Sequence, residues 1–539
     1  MTESRPTARV AALWNFFLYA IPFLILLPLL AVTGATNRGP DAISYLRIAT
    51  YYAEGNYELA VNGYWGPLLS WLMVPFLSLV DNHAFAAARI AMALSAVLFV
   101  AASFLVFRSF RLPRLQIVAA TTIIALFALF RAVDLITPDL LMASFILLAL
   151  SATLAPEIHS PWRYFRIGLI YGIAYLAKSI ALPLAIAIVI GIYVFRALVG
   201  AMTALAAARA AGALLAGIMV VAAPWILILS LHYGTPTFST SGAIAHALIG
   251  PGEGNTVHPS FREFHVPEPG RITSWEEPSL MAYHHWSPFA NAGNFRHQMS
   301  VVSRNIRYIM TLLGDFDWFG LGVASALCGF LFHRPWQDGF RRQPWRCAPL
   351  VIAAVGAAYA PVFADTSRYY FLCYPLLLGC AFAFLNDITG NASRAPSSVS
   401  RPHFSRALIT LVVAGSFLVN LFPNVWWTVR NDDAAPEFRR AEELSALLAK
   451  EPEGPIASVG YPVFYAGVHT AFLSNRAYYG NRVDTPLPEE IISAGIAFLV
   501  VGAGSPMDGI LAMDKRFERL SGPDATHYPF QLYRVLAPN

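Results

Sequence analysis

The chain has 539 residues, of which 57% are hydrophobic and 13% charged, with a formal net charge of +5. Soluble domains run at about 45–50% apolar and about 25% charged, so this composition excludes a soluble fold and marks an α-helical, polytopic membrane protein. The positive charge sits in short loops between apolar runs and reports orientation in the membrane, while no basic patch interleaved with aromatics points to nucleic acid.

Residues 13–32 follow a short basic leader carrying Arg5 and Arg9, and at about 20 residues this run exceeds a signal-peptide core and reads as a retained first span. The segment from Thr36 to Leu72 then concentrates Asp, Arg, Glu, Tyr, Asn and Trp, the composition of a site and not of a connector. Within it, 68–80 is too short to span and reads as a helix at the interface, with Trp65 and Trp71 at headgroup depth, either anchoring the chain or lining a site.

Further spans are expected at 83–107, 115–130, 138–155, 210–232, 317–332, 347–363, 369–386 and 407–427. The run 167–195 reads as two short segments meeting near Lys178, because one continuous helix would bury that lysine and place Arg196 and Arg209 on the wrong side. About eleven spans result. The arginines then fall inside and the carboxyl-terminal tail outside.

Two polar regions complete the outer side. Residues 233–300 are rich in Gly, Pro, His and Trp without helical period and read as a long functional loop. Residues 428–539 contain an amphipathic helix with Phe438, Ala441, Leu444 and Leu448 on one face, and strand-like runs IASV, AFLVV and QLYRVL. The expected division is a membrane domain over 1–427, with outer loops 34–82 and 233–300, and a small extracytoplasmic α/β domain over 428–539.

Ionisable residues cluster at the outer ends of the spans: Asp41 after the first, Arg131, Asp134 and Asp139 around the third and fourth, Lys178 between the half-length segments, and Arg368 before the tenth. Lys178 is the only lysine before Lys450. Two carboxylates among fixed cations suit attack on a phosphate-linked donor, one carboxylate taking the proton of a hydroxyl nucleophile while cations hold the leaving phosphate. The same positions also suit simpler tasks: Asp41 and Asp139 follow prolines and could cap helices, and Lys178 and Arg368 could anchor at headgroups. Asp315 and Asp317 form a D-x-D pair that reads first as a helix-start cap beside Trp318. The four cysteines lie in or beside apolar runs, and His258, His265, His284 and His285 lack ligand spacing, so no metal or other cofactor is called for.

Seven short motifs run in order along the chain: GPDAISYLRIA, YWGPLLSWL, AFAAARIAMAL, DLITPDLLMASFILLAL, GIAYLAKSIALPL, APWILILSLHYGTPTF and TSRYYFLCYP. Their series resembles that of the GT-C superfamily of polyprenyl-phosphate-sugar-dependent glycosyltransferases. Over residues 10–430 the chain resembles the branch containing protein O-mannosyltransferases and the lipid A aminoarabinose transferase. The resemblance implies an inverting glycosyltransferase of the bacterial inner membrane, with its carboxyl terminus in the periplasm. It implies Asp41 and Asp139 as catalytic residues, Lys178, Arg368 and Arg131 at the donor phosphate, and Tyr45, Tyr64 and Trp65 along the acceptor loop. The implied partners are a polyprenyl-phosphate sugar, membrane lipid and an extracytoplasmic acceptor. Asp41-Ala42 stands where the mannosyltransferase branch usually has paired acids, so mannosyl specificity does not follow. A lipid-linked oligosaccharide ligase or polymerase, and a transporter or flippase, are the alternatives. No nucleotide-binding glycine loop opens a helix.

Overall fold

The computed structural model describes residues 5–33, 39–79, 84–154, 160–252, 258–330, 344–392, 402–430, 436–461, 463–520 and 530–536. The apolar runs are helices, because a helix satisfies its own backbone groups where no water is available. In chain order they are α1 (Arg5–Val32), α2 (Pro40–Glu54), α3 (Tyr57–Ala60), α4 (Pro67–Leu77), α5 (Ala84–Ser109), α6 (Arg114–Asp134), α7 (Asp139–Thr153) and α8 (Pro161–Ala177). There follow α9 (Ala181–Leu198), α10 (Ala204–Tyr233), α11 (Ser241–Ala247), α12 (Ala292–Phe330), α13 (Ala348–Tyr359), α14 (Cys373–Ala392), α15 (Pro402–Arg430) and α16 (Pro436–Leu448).

The expected spans are helical over most of their described length, with 360–363 and 371–372 outside the helices, and 167–195 is broken, between Ala177 and Ala181. Length and composition alone qualify four helices among the described residues to cross a membrane: α5, α6, α9 and α10. A fifth follows if the two halves of α15, bent by 54°, count as one. Pro423 lies one turn beyond that bend, where its ring displaces the preceding carbonyl. Apolar α7 has only 15 residues, so the expected eleven spans include segments shorter than a full bilayer crossing.

Helices α8 and α10 pack backbone to backbone at Gly168 and Gly217. A Cβ on Gly168 would lie 2.1 Å from the Leu214 carbonyl, the close approach that small residues permit between membrane helices.

Helix α12 starts at Ala292, inside the stretch expected to be loop. Its buried stripe is partly polar, which hides the helix from hydropathy: Gln298 donates to the Pro361 carbonyl, and Asn305 to those of Ala360 and Val362. The helix breaks at Asp317, whose carboxylate accepts from the Gly320 amide at 2.8 Å and caps the continuation, the role the D-x-D pair suggested.

A five-stranded sheet follows, built from β1 (Ile456–Val459), β2 (Tyr478–Arg482), β3 (Phe498–Gly502), β4 (Phe517–Arg519) and β5 (Phe530–Val535), in spatial order β2-β1-β3-β5-β4. Strand β1 runs parallel to β2 and β3, and β5 is antiparallel to β3 and β4. The face of α16 read from the sequence is the buried one, with Phe438, Ala441, Leu444 and Leu448 at most 2% exposed.

Strand β2 would be a bare edge, and the loop after α11 covers it. The Tyr478 amide donates to the Ile272 carbonyl, the His265 amide to Tyr479, and the Val483 amide to Phe261. Ile43 of α2 and Ile272 of the loop are buried in one cluster with Leu444, Ile456 and Val500. Loop, sheet and first polar helix therefore share a core.

Candidate active site

Helix α2 is capped by the backbone of Gly39, with no side-chain cap, which leaves Asp41 in its first turn available for other contacts. Its carboxylate points sideways. Oδ2 accepts from Arg368 Nη1 at 2.7 Å and Oδ1 from the Trp275 indole at 3.1 Å. Arg368 sits in the tight turn Ser367–Tyr370 that precedes α14.

Asp139 opens α7 behind Pro138 and is 1% exposed. Its Oδ1 accepts from Lys178 Nζ at 2.5 Å, joining two residues 39 apart in the chain. Lys178 is extended, with φ −152° and ψ 128°, because it closes α8 where the broken pair turns, and its ammonium lies 4.6 Å from the centre of the Tyr369 ring. Tyr369 in turn stacks on Tyr359, with ring centroids 4.5 Å apart. The break is held from the other side by the first loop. A Cβ on Gly66 would lie 2.3 Å from the Ala177 carbonyl, so only glycine lets YWGP approach this backbone.

These two ion pairs face one cavity of about 190 Å³, lined also by Tyr45, Tyr64, Trp65, Ser179, Ser241 and Trp275. Two carboxylates and two cations leave the unliganded site formally neutral. The rings of Tyr45, Tyr64 and Trp275 all contact Trp65, with centroids 4.6–6.2 Å apart. Trp65, which the sequence leaves as either an anchor or a site residue, lines the cavity and is 7% exposed. Trp71 packs on Tyr52 and Trp225 instead.

The cavity lies at one end of the bundle, between the first turn of α2, the start of α7, the break at Lys178, α11 and the end of α13. At the opposite end Arg196 donates to the Thr153 carbonyl and Arg346 pairs with Asp387 at 3.0 Å. The arginines of the short loops and the cavity charges therefore occupy opposite ends.

Of the residues singled out in the sequence, Asp41, Tyr45, Tyr64, Trp65, Asp139, Lys178 and Arg368 come together here. Arg131 does not. It faces a neighbouring cavity of about 240 Å³, bonded to Asp134 and to Ser367 Oγ at 3.3 Å each and lying over the Phe130 ring. One helical position turned it towards α12 and away from Asp41.

Trp275 was missed by sequence reasoning. Its neighbours were the signal, two consecutive acids in a loop without period. Glu276 is fully buried, its Oε2 accepting from the Tyr51 hydroxyl at 2.5 Å and its Oε1 from the amides of Ile272 and Thr273. Glu277 accepts from Asn62 at 2.8 Å and from Tyr233 and Ser279. Burial pushes both carboxyl pKa values up, against the pull of Arg47 on Glu276 and of Ser279 and Arg271 on Glu277. The pair pins the loop to the first loop and delivers the indole to Asp41. His258 packs edge-on against Trp275, and burial drives its pKa down to about 3, so it is a neutral ring whose Nδ1 accepts from the Ser260 amide. Among the described residues no three His, Cys, Asp or Glu side chains converge as metal ligands.

Solved structures match this architecture along nearly the whole chain. ArnT from Cupriavidus metallidurans, bound to undecaprenyl phosphate, aligns with a TM-score of 0.53 at 14% identity, over 98% of this chain and 99% of its own. The fold is GT-C. The oligosaccharyltransferase AglB from Archaeoglobus fulgidus, in complex with an inhibitory peptide and a dolichol-phosphate, shares this GT-C fold with a TM-score of 0.55 at 13% identity, over 91% of this chain and 69% of its own. No family model matches the sequence. No curated protein matches it either.

Proposed function

We propose that this protein is an inverting membrane glycosyltransferase that moves one sugar from a polyprenyl phosphate to a hydroxyl acceptor at the periplasmic face of a bacterial inner membrane. The observation that carries the reading is the convergence of Asp41–Arg368 and Asp139–Lys178 on one cavity. Both cations keep donors in reserve. Arg368 Nε is buried with no hydrogen-bond partner among the described residues, and the Lys178 ammonium gives one of its three protons to Asp139. An arriving phosphate takes these donors in surroundings that strengthen each contact.

In the reaction Asp41 accepts the proton of the acceptor hydroxyl, and the resulting oxygen forms the new bond to the anomeric carbon. The old bond from that carbon to the phosphate oxygen breaks, and its electron pair stays on the phosphate, where Lys178 and Arg368 offset the added charge. Asp139 holds the ammonium in place through one oxygen. The indole N–H of Trp275 fixes the plane of the Asp41 carboxylate. Lipid phosphates bound by two proteins of the same fold support the donor class. A cavity of about 190 Å³, smaller than the roughly 300 Å³ where ordinary ligand sites begin, favours a single sugar over the glycan chain of a ligase or polymerase. The cavity's charges gather at one end of the bundle and not at its middle, which disfavours a transporter.

Purified protein in lipid nanodiscs is expected to transfer sugar from a polyprenyl phosphate and not from a nucleotide sugar. Efficient transfer from a nucleotide sugar sinks the proposal. Mass spectrometry of envelope glycolipids from a deletion strain then identifies the acceptor. Orientation is checked by thiol labelling in a Cys328→Ser background, which removes the exposed native thiol. Met513→Cys, at a position 83% exposed beside the sheet, should react with an impermeant maleimide in spheroplasts, whereas Ser160→Cys, beside the loop arginines, should react only after lysis. The reverse pattern inverts the assigned topology.

A further inference from the structure

Beside Lys178, the cavity carries a group of hydroxyls that the proposed chemistry does not use. Ser179 Oγ lies 3.0 Å from Ser241 Oγ, and Ser239 Oγ lies 2.9 Å from each of them and 3.1 Å from the Gly63 carbonyl. Those four contacts need four protons, and three hydroxyls supply three. Satisfying those contacts within the cluster engages all three protons. What Ser179 and Ser241, which line the cavity, can offer a ligand is lone pairs.

A second, independent acceptor stands at the same place. Asp139 Oδ1 is taken by Lys178, but Oδ2 has no partner among the described residues although Asp139 is 1% exposed and lines the cavity. A buried carboxylate oxygen left without a donor has lost its water and gained nothing in return, so a ligand that donates to it removes that cost. Acceptors from Asp139, Ser179 and Ser241 flank an ammonium whose spare protons suit a phosphate. The phosphodiester that links the donor's sugar to its lipid is ionised and has no proton to give them. A sugar ring linked to that phosphate has several.

We infer that Asp139 Oδ2, Ser179 Oγ and Ser241 Oγ form a subsite that reads the hydroxyls of the donor's sugar, distinct from the cations that hold its phosphate. Gly242 and Ala245, which line the cavity beside Ser241, leave room for the ring. The inference rests on the polyprenyl-phosphate reading above.

The test separates sugar from phosphate. Undecaprenyl phosphate, with and without one attached hexose or pentose, is titrated into the full-length protein in nanodiscs. The double variant Ser179→Ala/Ser241→Ala is expected to weaken binding of the sugar-bearing lipid by about 10-fold, as for two hydrogen bonds lost, and to leave the sugar-free lipid unchanged. Lys178→Ala should weaken both. Equal weakening of the two lipids by the serine variant, or weakening of neither, overturns the subsite alone. A wild-type protein that binds neither lipid overturns the donor reading as well. If the double variant does not fold, deoxy-sugar donors probe the subsite on the wild type: removing each ring hydroxyl in turn must weaken binding at one position or more, and tolerance of every removal refutes the subsite.

Discussion

Asp41→Asn is expected to lower turnover by about 100-fold or more while the protein still folds and binds its donor. Asparagine keeps the size of the side chain and an oxygen that can accept from Trp275 or Arg368, but it cannot take a proton. Helix α2 does not depend on the carboxylate for its start, since Gly39 provides the cap and Asp41 makes no cap hydrogen bond. The loss should therefore appear in kcat and not in melting temperature or donor affinity. Near-normal turnover would make Asp41 a structural partner of Arg368 and nothing more.

Lys178→Ala should reduce kcat/KM by about 2–4 kcal/mol, the size of losing one charge-stabilising donor. The structure adds a complication. Asp139 would be left buried with no cation, and breaking one side of a buried pair costs about 3–5 kcal/mol of stability. The informative comparison is therefore Lys178→Ala/Asp139→Asn, which removes both charges. Its melting temperature should recover towards wild type while its activity does not, separating the role in catalysis from the role in folding. Lys178→Arg should restore only part of the rate, because a planar guanidinium has to fit where a compact ammonium lies over the Tyr369 ring. Unchanged kinetics in the single variant would remove the phosphate role from Lys178.

Asp41, Asp139, Lys178 and Arg368 could be found in the sequence because each is an ionisable side chain beside apolar runs, where a hydrophobic residue would be the default. The break at Lys178 was legible for the same reason. The face of α16 was legible because its period survives between polar residues. Trp275 was not, because its bond to Asp41 joins positions 234 residues apart and its loop repeats nothing. Strand β2, YYGNR, carries Gly480 at φ 103° together with Asn and Arg, so neither alternation nor β-propensity marks it. Arg131 shows the limit at span ends: depth can be read from the sequence, but which way a side chain turns is decided by the neighbouring helices.

The loop that covers the edge of β2 makes the aqueous and membrane parts one cooperative unit. A tail expressed alone would bare that strand's hydrogen-bonding edge to other chains, and it would also lose Ile43 and Ile272 from its core. A membrane portion expressed alone would lose the template that orders the segment carrying Trp275. Grafting a foreign tail onto this chain would therefore remove the support of the loop that supplies Trp275, one wall of the cavity. Chimeras that exchange the tail have to move the loop and the sheet together.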